Sequence, residues 1–470
     1  MAGIFGTDGV RARINTGPMR AESVVRLALA AGRWFVDNGQ KQSQDSANKP
    51  LVVIGKDTRL SGYMLESALV AGFSSIGMEC KLLGPIPTAT VSVVTRQLGA
   101  HLGVMISASH NPHHDNGIKL FGPDGKKLAD EIELEISQFM QGSIALAEAE
   151  DMGRVRRILD SHQIYVDYAC QSLGVTPSQE DLPFAGLKIV VDCAHGAAYI
   201  TAPKTLRALG AEVIALYDAP DGLNINKDCG AVHPEKMAEA VTLHKADVGI
   251  ALDGDADRLI IADEAGHIHD GDKVLAAIAT AMSQEGTLRP PVVGTLMSNL
   301  GLERYLADKG IAFSRAKVGD RYILQKLDGT DAAKGEGGNL GGENSGHILM
   351  PDIIASGDGL IAALQVISAS IKAQEPLSQT LSLYESVPQK LVNLENVDKR
   401  IIDTPEISDL CDKLTTKMAG EGRILLRPSG TEPLLRVMVE ATDPKMLDDV
   451  MTQIVSALTK VNQRLQAEAD

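Results

Sequence analysis

Aromatic residues and long apolar runs are both scarce in this chain. Aromatic side chains make up 3 % of its 470 residues, and Trp34 is the single tryptophan, so widespread stacking against sugars or bases is excluded. No apolar run approaches the roughly 18 residues that a membrane span needs. The opening stretch, MAGIFGTDGVR, lacks the basic-then-apolar order of a signal peptide. We therefore expect a globular protein of the cytoplasm with no membrane partner.

Paired cysteines and an excess of positive charge are also missing. The five cysteines stand singly along the chain, with no Cys-x-x-Cys pair, which fits a reducing compartment and argues against a zinc site. Sixty-one Asp and Glu against 45 Lys and Arg give a net charge of −16, which argues against a nucleic-acid partner. If the substrate is an anion, the site must supply local cations against this field.

The familiar cofactor and nucleophile motifs are absent as well. The chain has no Walker A sequence, no Gly-x-Gly-x-x-Gly after a strand, no Gly-x-Ser-x-Gly and no His-Glu-x-x-His. Its 11 histidines show no metal-ligand spacing. The chemistry has to be sought in other clusters.

Three segments of the chain repeat a strand–helix–strand pattern. Apolar runs begin at Leu51, Leu187 and Pro291 and end in small or polar residues, as buried parallel strands do. A helical segment that ends near a glycine follows each run, and a second strand candidate follows each helix. The pattern predicts an α/β fold with three related domains rather than one large sheet.

The last part of the chain has a different character. RILLRPSGTEPLLRVMVEA has the pattern of a strand, a loop and an alternating strand, and a long amphipathic helix follows it. These elements predict a smaller C-terminal α+β domain. The predicted domains are 1–155 with a serine loop, 156–256 ending in an aspartate loop, 257–375 with a glycine-flanked loop, and 376–470 with an arginine-flanked loop.

Ser109 lies in a tight polar loop directly after an apolar strand. GVMISASHNPHHDNGIKLF runs from a strand through Ser-His-Asn-Pro into a return strand, because Asn-Pro and Asn-Gly mark turns. A serine held between two strands is well placed to present its oxygen.

Three aspartates with a spacing of two residues follow another buried strand. In GIALDGDADRLIIAD, small residues separate Asp253, Asp255 and Asp257 and let the backbone fold tightly. Three unpaired carboxylates would repel each other, so a hard divalent cation is their natural partner. An EF-hand fails because Arg258 stands where that loop requires Gly, and a solvated acidic turn is the remaining alternative. We expect a catalytic Mg²⁺ loop.

Two further loops carry groups suited to a sugar and to a phosphate. GGENSGH alternates polar groups, which sugar hydroxyls could contact, with glycines, although a simple turn explains it equally well. RPSGTEP combines backbone N–H groups, hydroxyls and arginines suited to an anion. The alternative for this loop is a β-turn with surface arginines. With a looped serine and a cation site, these loops favour phosphoryl transfer through serine.

The motifs, taken in order, resemble the α-D-phosphohexomutase superfamily from end to end. They are GIFGTDGVR, GKDTRLSG, SASHNPHHDNGIKLF, PDGLNIN, DGDADR, KVGDRY, GGENSGH and RPSGTEP. Within the superfamily, FGTDGVR, GLNIN and GGExSGH are similar to the branch that acts on glucosamine phosphates. The mannose/glucose branch tends to carry Gly-Glu-Met-Ser-Gly-His in the sugar loop.

The resemblance implies a fold and a set of site residues. Three similar α/β domains with mixed sheets and a smaller C-terminal α+β domain would surround a central cleft. Ser109 would be a phosphoserine that completes the shell of one Mg²⁺ held by the three aspartates. The other implied site residues are Lys119 as a candidate general base or acid, His110 beside the serine, Arg11 and Arg59 as cleft arginines, Arg258, Asp320, Arg321, Glu343, Ser345 and His347 on the substrate side, and Arg427, Ser429, Gly430, Thr431 and Arg436 around a phosphate.

The resemblance also implies a reaction. An isomerase of this kind interconverts glucosamine 6-phosphate and glucosamine 1-phosphate through the phosphoserine and a glucosamine 1,6-bisphosphate intermediate, and supplies UDP-N-acetylglucosamine and cell-wall synthesis. The same mechanism on mannose or glucose phosphates is the alternative, followed by a phosphatase and a non-catalytic binding protein. Asn344 stands where the glucosamine branch commonly has Gln. This departure bears on the expected substrate preference more than on the expected chemistry. Homodimer formation, and phosphorylation of the serine by a kinase, by the protein itself or by a sugar bisphosphate, stay open.

Overall fold

The computed structural model describes residues 4–6, 8–39, 49–176, 181–329, 337–428 and 434–467. The chain divides into two compact units. The first contains Met1–Thr295 and Ile311–Leu383, and the second contains Leu296–Gly310 and Tyr384–Asp470. Within the described ranges, no helix is both long and apolar enough to cross a membrane.

Six strands form the first sheet: β1 (Val10–Arg13), β2 (Leu51–Lys56), β3 (Glu79–Pro85), β4 (Leu102–Ile106), β5 (Asp115–Phe121) and β6 (Val155–Arg157). Their order is β1-β5-β4-β2-β3-β6, and β5 runs antiparallel to both of its neighbours. The helices of this region are α1 (Ala21–Gly39), α2 (Ser61–Ser75), α3 (Thr88–Gln97) and α4 (Asp130–Phe139). Ile54 packs into the core on one face of the sheet and Val53 into the core on the other. Burial on both faces explains why the first four residues of β2 form a continuous apolar run.

Five strands form the second sheet: β7 (Lys188–Asp192), β8 (Glu212–Leu216), β9 (Val248–Leu252), β10 (Leu259–Ala262) and β11 (Ile268–His269). Their order is β8-β7-β9-β10-β11, with β8, β7 and β9 parallel and β10 antiparallel to its neighbours. The helices of this region are α5 (Ser161–Gln171), α6 (Thr201–Ala208), α7 (Glu235–His244) and α8 (Gly271–Gln284).

Four strands form the third sheet: β12 (Val292–Thr295), β13 (Phe313–Ala316), β14 (Gly341–Gly342) and β15 (Ile348–Leu349). Their order is β13-β12-β14-β15, with β12 parallel to both neighbours and β15 antiparallel to β14. Between β12 and β13 the chain forms α9 (Leu300–Asp308), which belongs to the second unit. The later helices are α10 (Asp320–Leu327), α11 (Gly359–Ala373) and α12 (Leu377–Leu381).

All three sheets share one strand order, which confirms the repeat predicted from the sequence. Three parallel strands are arranged second-first-third, and a return strand runs antiparallel beside the third. The turn before the return strand contains Ser109 in the first sheet, the three aspartates in the second and the ENSGH part of GGENSGH in the third. Equivalent turns of three related sheets therefore carry the three predicted motifs of the first unit.

The second unit contains a three-stranded antiparallel sheet in the order β16-β18-β17, formed by the segments β16 (Gln389–Glu395), β17 (Gly422–Pro428) and β18 (Leu434–Ala441). Helices α13 (Pro405–Met418) and α14 (Pro444–Ala467) share a core with one face of this sheet. The predicted α/β fold class, with a smaller C-terminal α+β part, is confirmed. Short 3-10 helices lie at Gly17–Met19, Ala149–Asp151, Gly230–Val232 and Lys399–Asp403.

Candidate active site

Ser109 lies in the β4–β5 turn in a left-handed backbone conformation. Its φ is 51°, a region that few residues other than glycine adopt, and it is 1 % exposed. The Ser109 N–H donates to Ser107 Oγ at 2.8 Å, and Ser107 Oγ donates to Asp57 Oδ2 at 2.7 Å. These bonds tie the turn to the end of β2 and support the strained residue.

Arg59 holds the same turn from the interior. The residue is fully buried, and its Nε donates to Asp57 Oδ2 at 2.8 Å. Its Nη2 donates to the carbonyl oxygens of Ser109 and Asn111, at 2.9 and 2.8 Å, and its Nη1 donates to that of Pro112 at 2.5 Å. Because these donors are committed to the turn, Arg59 acts on Ser109 by positioning it.

The three predicted aspartates converge in the β9–β10 turn. Oxygen atoms of Asp253, Asp255 and Asp257 lie within 4.8 Å of one another, and all three residues are buried. Ser109 Oγ donates to Asp253 Oδ2 at 2.5 Å. The Oδ1 atoms of Asp255 and Asp257 are buried without a hydrogen-bond partner in the described part of the chain. Unpaired carboxylate oxygens of this kind fit a hard divalent cation.

Charge in the aspartate turn is shared unequally. Burial, together with the Asp257 and Asp255 carboxylates, raises the pKa of Asp253 well above its ordinary value. Lys119 Nζ donates to Asp255 Oδ2 at 2.9 Å and to Asp257 Oδ2 at 3.0 Å. Burial alone would lower the pKa of Lys119, but these two carboxylates outweigh it and raise the pKa above its ordinary value. In this arrangement Lys119 is an ammonium group, which can donate a proton or stabilise an anion.

His110 lies beside the serine, and the charges of Arg11 and Arg258 act on His110. His110 Nδ1 lies 3.4 Å from Ser109 Oγ. Burial, followed by the charges of Arg258 and Arg11, lowers the pKa of His110 to about 4, so the imidazole is neutral at pH 7. The Nε atoms of Arg11 and Arg258 are buried and have no hydrogen-bond partner among the described residues. Both guanidiniums therefore retain a donor for an anion such as a phosphate.

The predicted sugar loop is the turn between β14 and β15, so it is both a turn and a candidate site. Glu343 Oε1 accepts a hydrogen bond from the Gly319 N–H at 2.8 Å, and Ser345 Oγ donates to Glu343 Oε2 at 3.4 Å. An isolated β-bridge pairs His347 with Arg258. This bridge joins the sugar turn directly to the end of the aspartate turn.

Asp320 belongs to a charged cluster beside these turns. Lys127 Nζ lies 2.6 Å from Asp320 Oδ2 and also pairs with Asp8, which in turn pairs with Arg11. Burial would raise the pKa of Asp320, but Lys127 outweighs it, and the pKa is lowered to about 2. Asp320 is therefore ionised, and its charge is matched by Lys127.

Arg321, predicted on the substrate side, pairs with helix α4. Its guanidinium forms ion pairs with Glu133 Oε2, at 2.8 Å, and with Asp130. These contacts join α10 to α4, which places Arg321 at a junction between the first and third sheets.

Arg427 and Arg436 of the second unit lie opposite each other on β17 and β18. Arg436 is exposed, and Asn393 of β16 lies on its other side. Two opposed cations repel each other, so the pair favours a bound anion. The other predicted members of this site lie outside the described residues: Ser429, Gly430 and Thr431.

Sequence reasoning missed several residues that contact the site. Thr88 Oγ1 donates to Asp255 Oδ2 at 2.7 Å, and Asn226 Nδ2 donates to the Ser109 carbonyl at 2.9 Å. Thr88 stands in no motif, so nothing in the sequence pointed to it. Asn226 ends the GLNIN stretch, and Asp8 lies in GIFGTDGVR, so both stood in motifs that carried the resemblance without a role for that residue.

Four phosphoglucomutase/phosphomannomutase domain families match the chain. They are α/β/α domain I over residues 2–145, α/β/α domain II over 163–266, α/β/α domain III over 270–387 and the C-terminal domain over 389–457. A phosphoglucosamine mutase of Cereibacter sphaeroides is 50 % identical over 97 % of this chain and 98 % of its own length. One of Phenylobacterium zucineum is 48 % identical over 97 % of this chain and 98 % of its own length.

Solved structures agree on the fold. A phosphoglucomutase/phosphomannomutase family protein of Burkholderia thailandensis aligns with a TM-score of 0.77 and 22 % identity, over 98 % of each chain. Aspergillus fumigatus N-acetylphosphoglucosamine mutase, solved with GlcNAc-6P and magnesium, aligns with a TM-score of 0.63 and 19 % identity, over 97 % of this chain and 96 % of that one.

The chain belongs to the phosphoglucomutase/phosphomannomutase family, and the predicted superfamily is confirmed. Within the family, the two relatives described above at 48 to 50 % identity are phosphoglucosamine mutases.

Proposed function

We propose that this chain is a phosphoglucosamine mutase, an isomerase that interconverts glucosamine 6-phosphate and glucosamine 1-phosphate. The observation that carries the proposal is the meeting of the serine and aspartate turns, where Ser109 Oγ lies 2.5 Å from Asp253 Oδ2. A phosphoryl group on that oxygen would lie beside the cation-binding carboxylates. The near-full-length likeness to phosphoglucosamine mutases supports the choice of sugar.

The reaction takes two phosphoryl transfers. In the first, the bond between Ser109 Oγ and phosphorus breaks, a bond between phosphorus and O1 of glucosamine 6-phosphate forms, and the O1 proton ends on Oγ. The product is glucosamine 1,6-bisphosphate. This intermediate reorients in the site. The bond between its O6 and phosphorus then breaks, a bond between that phosphorus and Ser109 Oγ forms, the Oγ proton ends on O6, and glucosamine 1-phosphate leaves. The same bisphosphate activates the protein when it phosphorylates a free Ser109.

The aspartate turn would hold one Mg²⁺ per chain, because Asp253, Asp255 and Asp257 offer clustered, partly unpaired oxygens. When bound, the ion neutralises charge on the transferring phosphoryl group. Lys119 adds a second, fixed positive charge at the same carboxylates. Neutral His110 is within hydrogen-bonding distance of Ser109 Oγ and can hold a proton there.

The remaining residues bind the sugar phosphate. We assign the sugar hydroxyls to Glu343 and Ser345, whose side chains face each other in the β14–β15 turn. Arg11 and Arg258 supply donors beside Ser109, as local cations in a chain of net charge −16. The further substrate-binding assignments are Asp320, Arg321 and His347 in the first unit, and Arg427, Ser429, Gly430, Thr431 and Arg436 for the phosphate that is not reacting.

The proposal extends to the organisation and place of the protein. We propose four domains at 1–155, 156–256, 257–375 and 376–470, with the end of the second moved to His269 because β10 and β11 complete its sheet. We also propose a cytoplasmic location because the five cysteines are free. The product would feed the synthesis of UDP-N-acetylglucosamine and cell-wall precursors. Intact-mass analysis of the purified protein, with and without a kinase or a sugar bisphosphate, identifies the source of the first phosphate on Ser109. Light scattering tests for a homodimer.

Phosphorus NMR tests the function. The purified protein is given Mg²⁺, a trace of the matching hexose or hexosamine 1,6-bisphosphate, and glucosamine, glucose or mannose 6-phosphate separately. We expect glucosamine 1-phosphate to form fastest and the Ser109→Ala variant to form none. A preference for glucose or mannose would keep the mechanism and overturn the sugar. Release of inorganic phosphate would instead indicate a phosphatase.

A further inference from the structure

Asn226, the last residue of the GLNIN stretch, reaches from the second sheet into the serine turn. It lies between β8 and the 3-10 helix Gly230–Val232. Its side-chain Nδ2 donates to the carbonyl oxygen of Ser109 at 2.9 Å and to that of Asn111 at 3.2 Å. The two acceptors are both backbone oxygens, so the amide nitrogen of Asn226 faces the turn.

Arg59 binds the same two oxygens from the first sheet. Its Nη2 donates to the carbonyls of Ser109 and Asn111 at 2.9 and 2.8 Å. Each carbonyl oxygen can accept two hydrogen bonds, so each receives one donor from each sheet. The backbone that follows the Ser109 side chain is therefore held from two directions.

The segment that carries Asn226 is itself fixed. The Asn226 backbone has a φ of 57°, and its N–H donates to the Ala194 carbonyl at 2.9 Å. The two carboxylate oxygens of buried Asp192 accept hydrogen bonds from the N–H groups of Ala194 and Gly230, each at 2.8 Å. Asp192 ends β7, which is paired with β9, the strand that leads into the aspartate turn. Asn226 thus links the second sheet to the serine turn through hydrogen bonds.

We propose that Asn226 is a positioning residue for phosphoryl transfer, which deepens the proposed function and rests on it. By holding the Ser109 and Asn111 carbonyls, it keeps the Ser109 oxygen in register with the aspartate turn that its own sheet supplies. Arg59 fixes the turn within the first sheet, whereas Asn226 fixes it to the sheet that holds the cation site. Loss of its donor lets the serine turn shift relative to the aspartates while substrate groups elsewhere stay in place.

Two substitutions separate the hydrogen bonds from the backbone conformation. Asn226→Asp keeps the shape of the side chain but replaces the N–H₂ donor with a negatively charged acceptor. Asn226→Gly keeps access to positive φ and removes the donor without adding a charge. Asn224→Asp is the matched control, because Asn224 Nδ2 donates only to the Ala219 carbonyl, at 3.1 Å, in the same loop. The control removes one side-chain donor of the loop without touching the serine turn.

For both Asn226 variants we expect kcat to fall by about 10- to 100-fold, since a displacement of about 1 Å costs on the order of 100-fold. KM for glucosamine 6-phosphate should stay within about twofold of wild type, and Asn224→Asp should match wild type in both constants. A role in stability alone would lower the melting temperature and the fraction of active protein, and a smaller active fraction lowers the apparent kcat at unchanged KM. We therefore divide kcat by the folded fraction of each variant, after which a role in stability alone restores the wild-type kcat and a positioning role does not. Equal losses of kcat in the two variants assign the effect to the Asn226 donor. A loss of kcat confined to Asn226→Gly, or a kcat of Asn226→Asp within threefold of wild type, overturns the proposal.

A second readout keeps this inference separate from the proposed function. Phosphorylation of Ser109 by glucose 1,6-bisphosphate, followed by intact mass, compares wild type and variants with one probe and does not require conversion of glucosamine 6-phosphate. We expect its rate to fall in both Asn226 variants and not in Asn224→Asp. If wild type is phosphorylated but converts no glucosamine 6-phosphate, the proposed substrate fails and Asn226 is still tested. Equal phosphorylation rates in wild type and variants would contradict the positioning role whatever the substrate.

Discussion

Gly254, between the first two aspartates, packs against the serine turn with no room for a side chain. A Cβ placed on Gly254 would lie 2.5 Å from the Ser109 carbonyl oxygen and 2.8 Å from Asn226 Nδ2. Ordinary van der Waals contact begins at 3.4 Å, so a Gly254→Ala variant must open a gap of about 0.9 Å. The oxygen cannot yield freely because Arg59 and Asn226 hold it at 2.9 Å each. The two turns therefore have to separate.

The separation falls on the atoms that transfer the phosphoryl group. A displacement of about 1 Å costs on the order of 100-fold in rate, which corresponds to about 2.7 kcal/mol of activation free energy. We expect kcat of Gly254→Ala to fall by about that factor, measured by coupled assay of glucosamine 1-phosphate formation. KM for glucosamine 6-phosphate should change little, because the substitution does not alter the sugar turn or the Arg427–Arg436 pair.

Gly142→Ala is the matched control for this substitution. The nearest atom to a Cβ on Gly142 is the Phe139 carbonyl oxygen at 3.8 Å, so the methyl group fits without movement. Its kcat should equal that of wild type, and thermal melting of both variants should show that the fold persists. A kcat for Gly254→Ala within threefold of wild type would refute the claim that the two turns must meet at this distance.

Three further predictions follow from the charges. Asp255→Asn should raise the Mg²⁺ concentration for half-maximal activity by about 10-fold or more and lower the rate, since it removes a charge from the cation-binding cluster; an unchanged Mg²⁺ titration would exclude the turn as the metal site. Arg436→Ala should raise KM for the sugar phosphate by about 10-fold while leaving the stability of the second unit unchanged or slightly higher, since a repulsion with Arg427 is lost; an unchanged KM would remove this pair from the substrate site. Burial raises the pKa of Asp358 to about 6, so its protonated form is favoured by the fold and its contribution to stability, about 3 kcal/mol, is lost as pH rises from about 4 to 6. Asp358→Asn keeps one acceptor oxygen, Oδ1, which in wild type accepts from both the Ile361 N–H and the Tyr165 hydroxyl. The melting temperature of wild type should therefore fall relative to the variant over that range, and parallel curves would contradict the assignment.

Much of the fold was predictable because buried strands leave a local signature. The runs at Leu51 and Leu187 are mainly apolar and β-branched, since β2 and β7 lie inside their sheets, and their spacing predicted the repeat. The aspartate cluster was equally predictable. Asp253, Asp255 and Asp257 are close in sequence, so one turn brings their oxygens together.

The contacts that organise the site were beyond the sequence because they join distant segments. Asn226 and Ser109 are 117 residues apart, and Lys119 and Asp255 are 136 residues apart. Local sequence patterns do not indicate which residues so far apart in the chain will contact each other. For the same reason the resemblance placed Arg59 in the cleft without showing that its donors are committed to the turn around Ser109. The topology, in which equivalent turns of three sheets converge, supplies what local patterns lack.

A single-turnover experiment tests the central claim most directly. Protein carrying a ³²P-labelled phosphoryl group on Ser109 is mixed with unlabelled glucosamine 6-phosphate and Mg²⁺, and protein and sugars are separated after quenching. The account predicts that label leaves the protein at the rate of turnover and appears in glucosamine 1,6-bisphosphate and in the sugar monophosphates. Formation of glucosamine 1-phosphate while the label stays on Ser109 would contradict it.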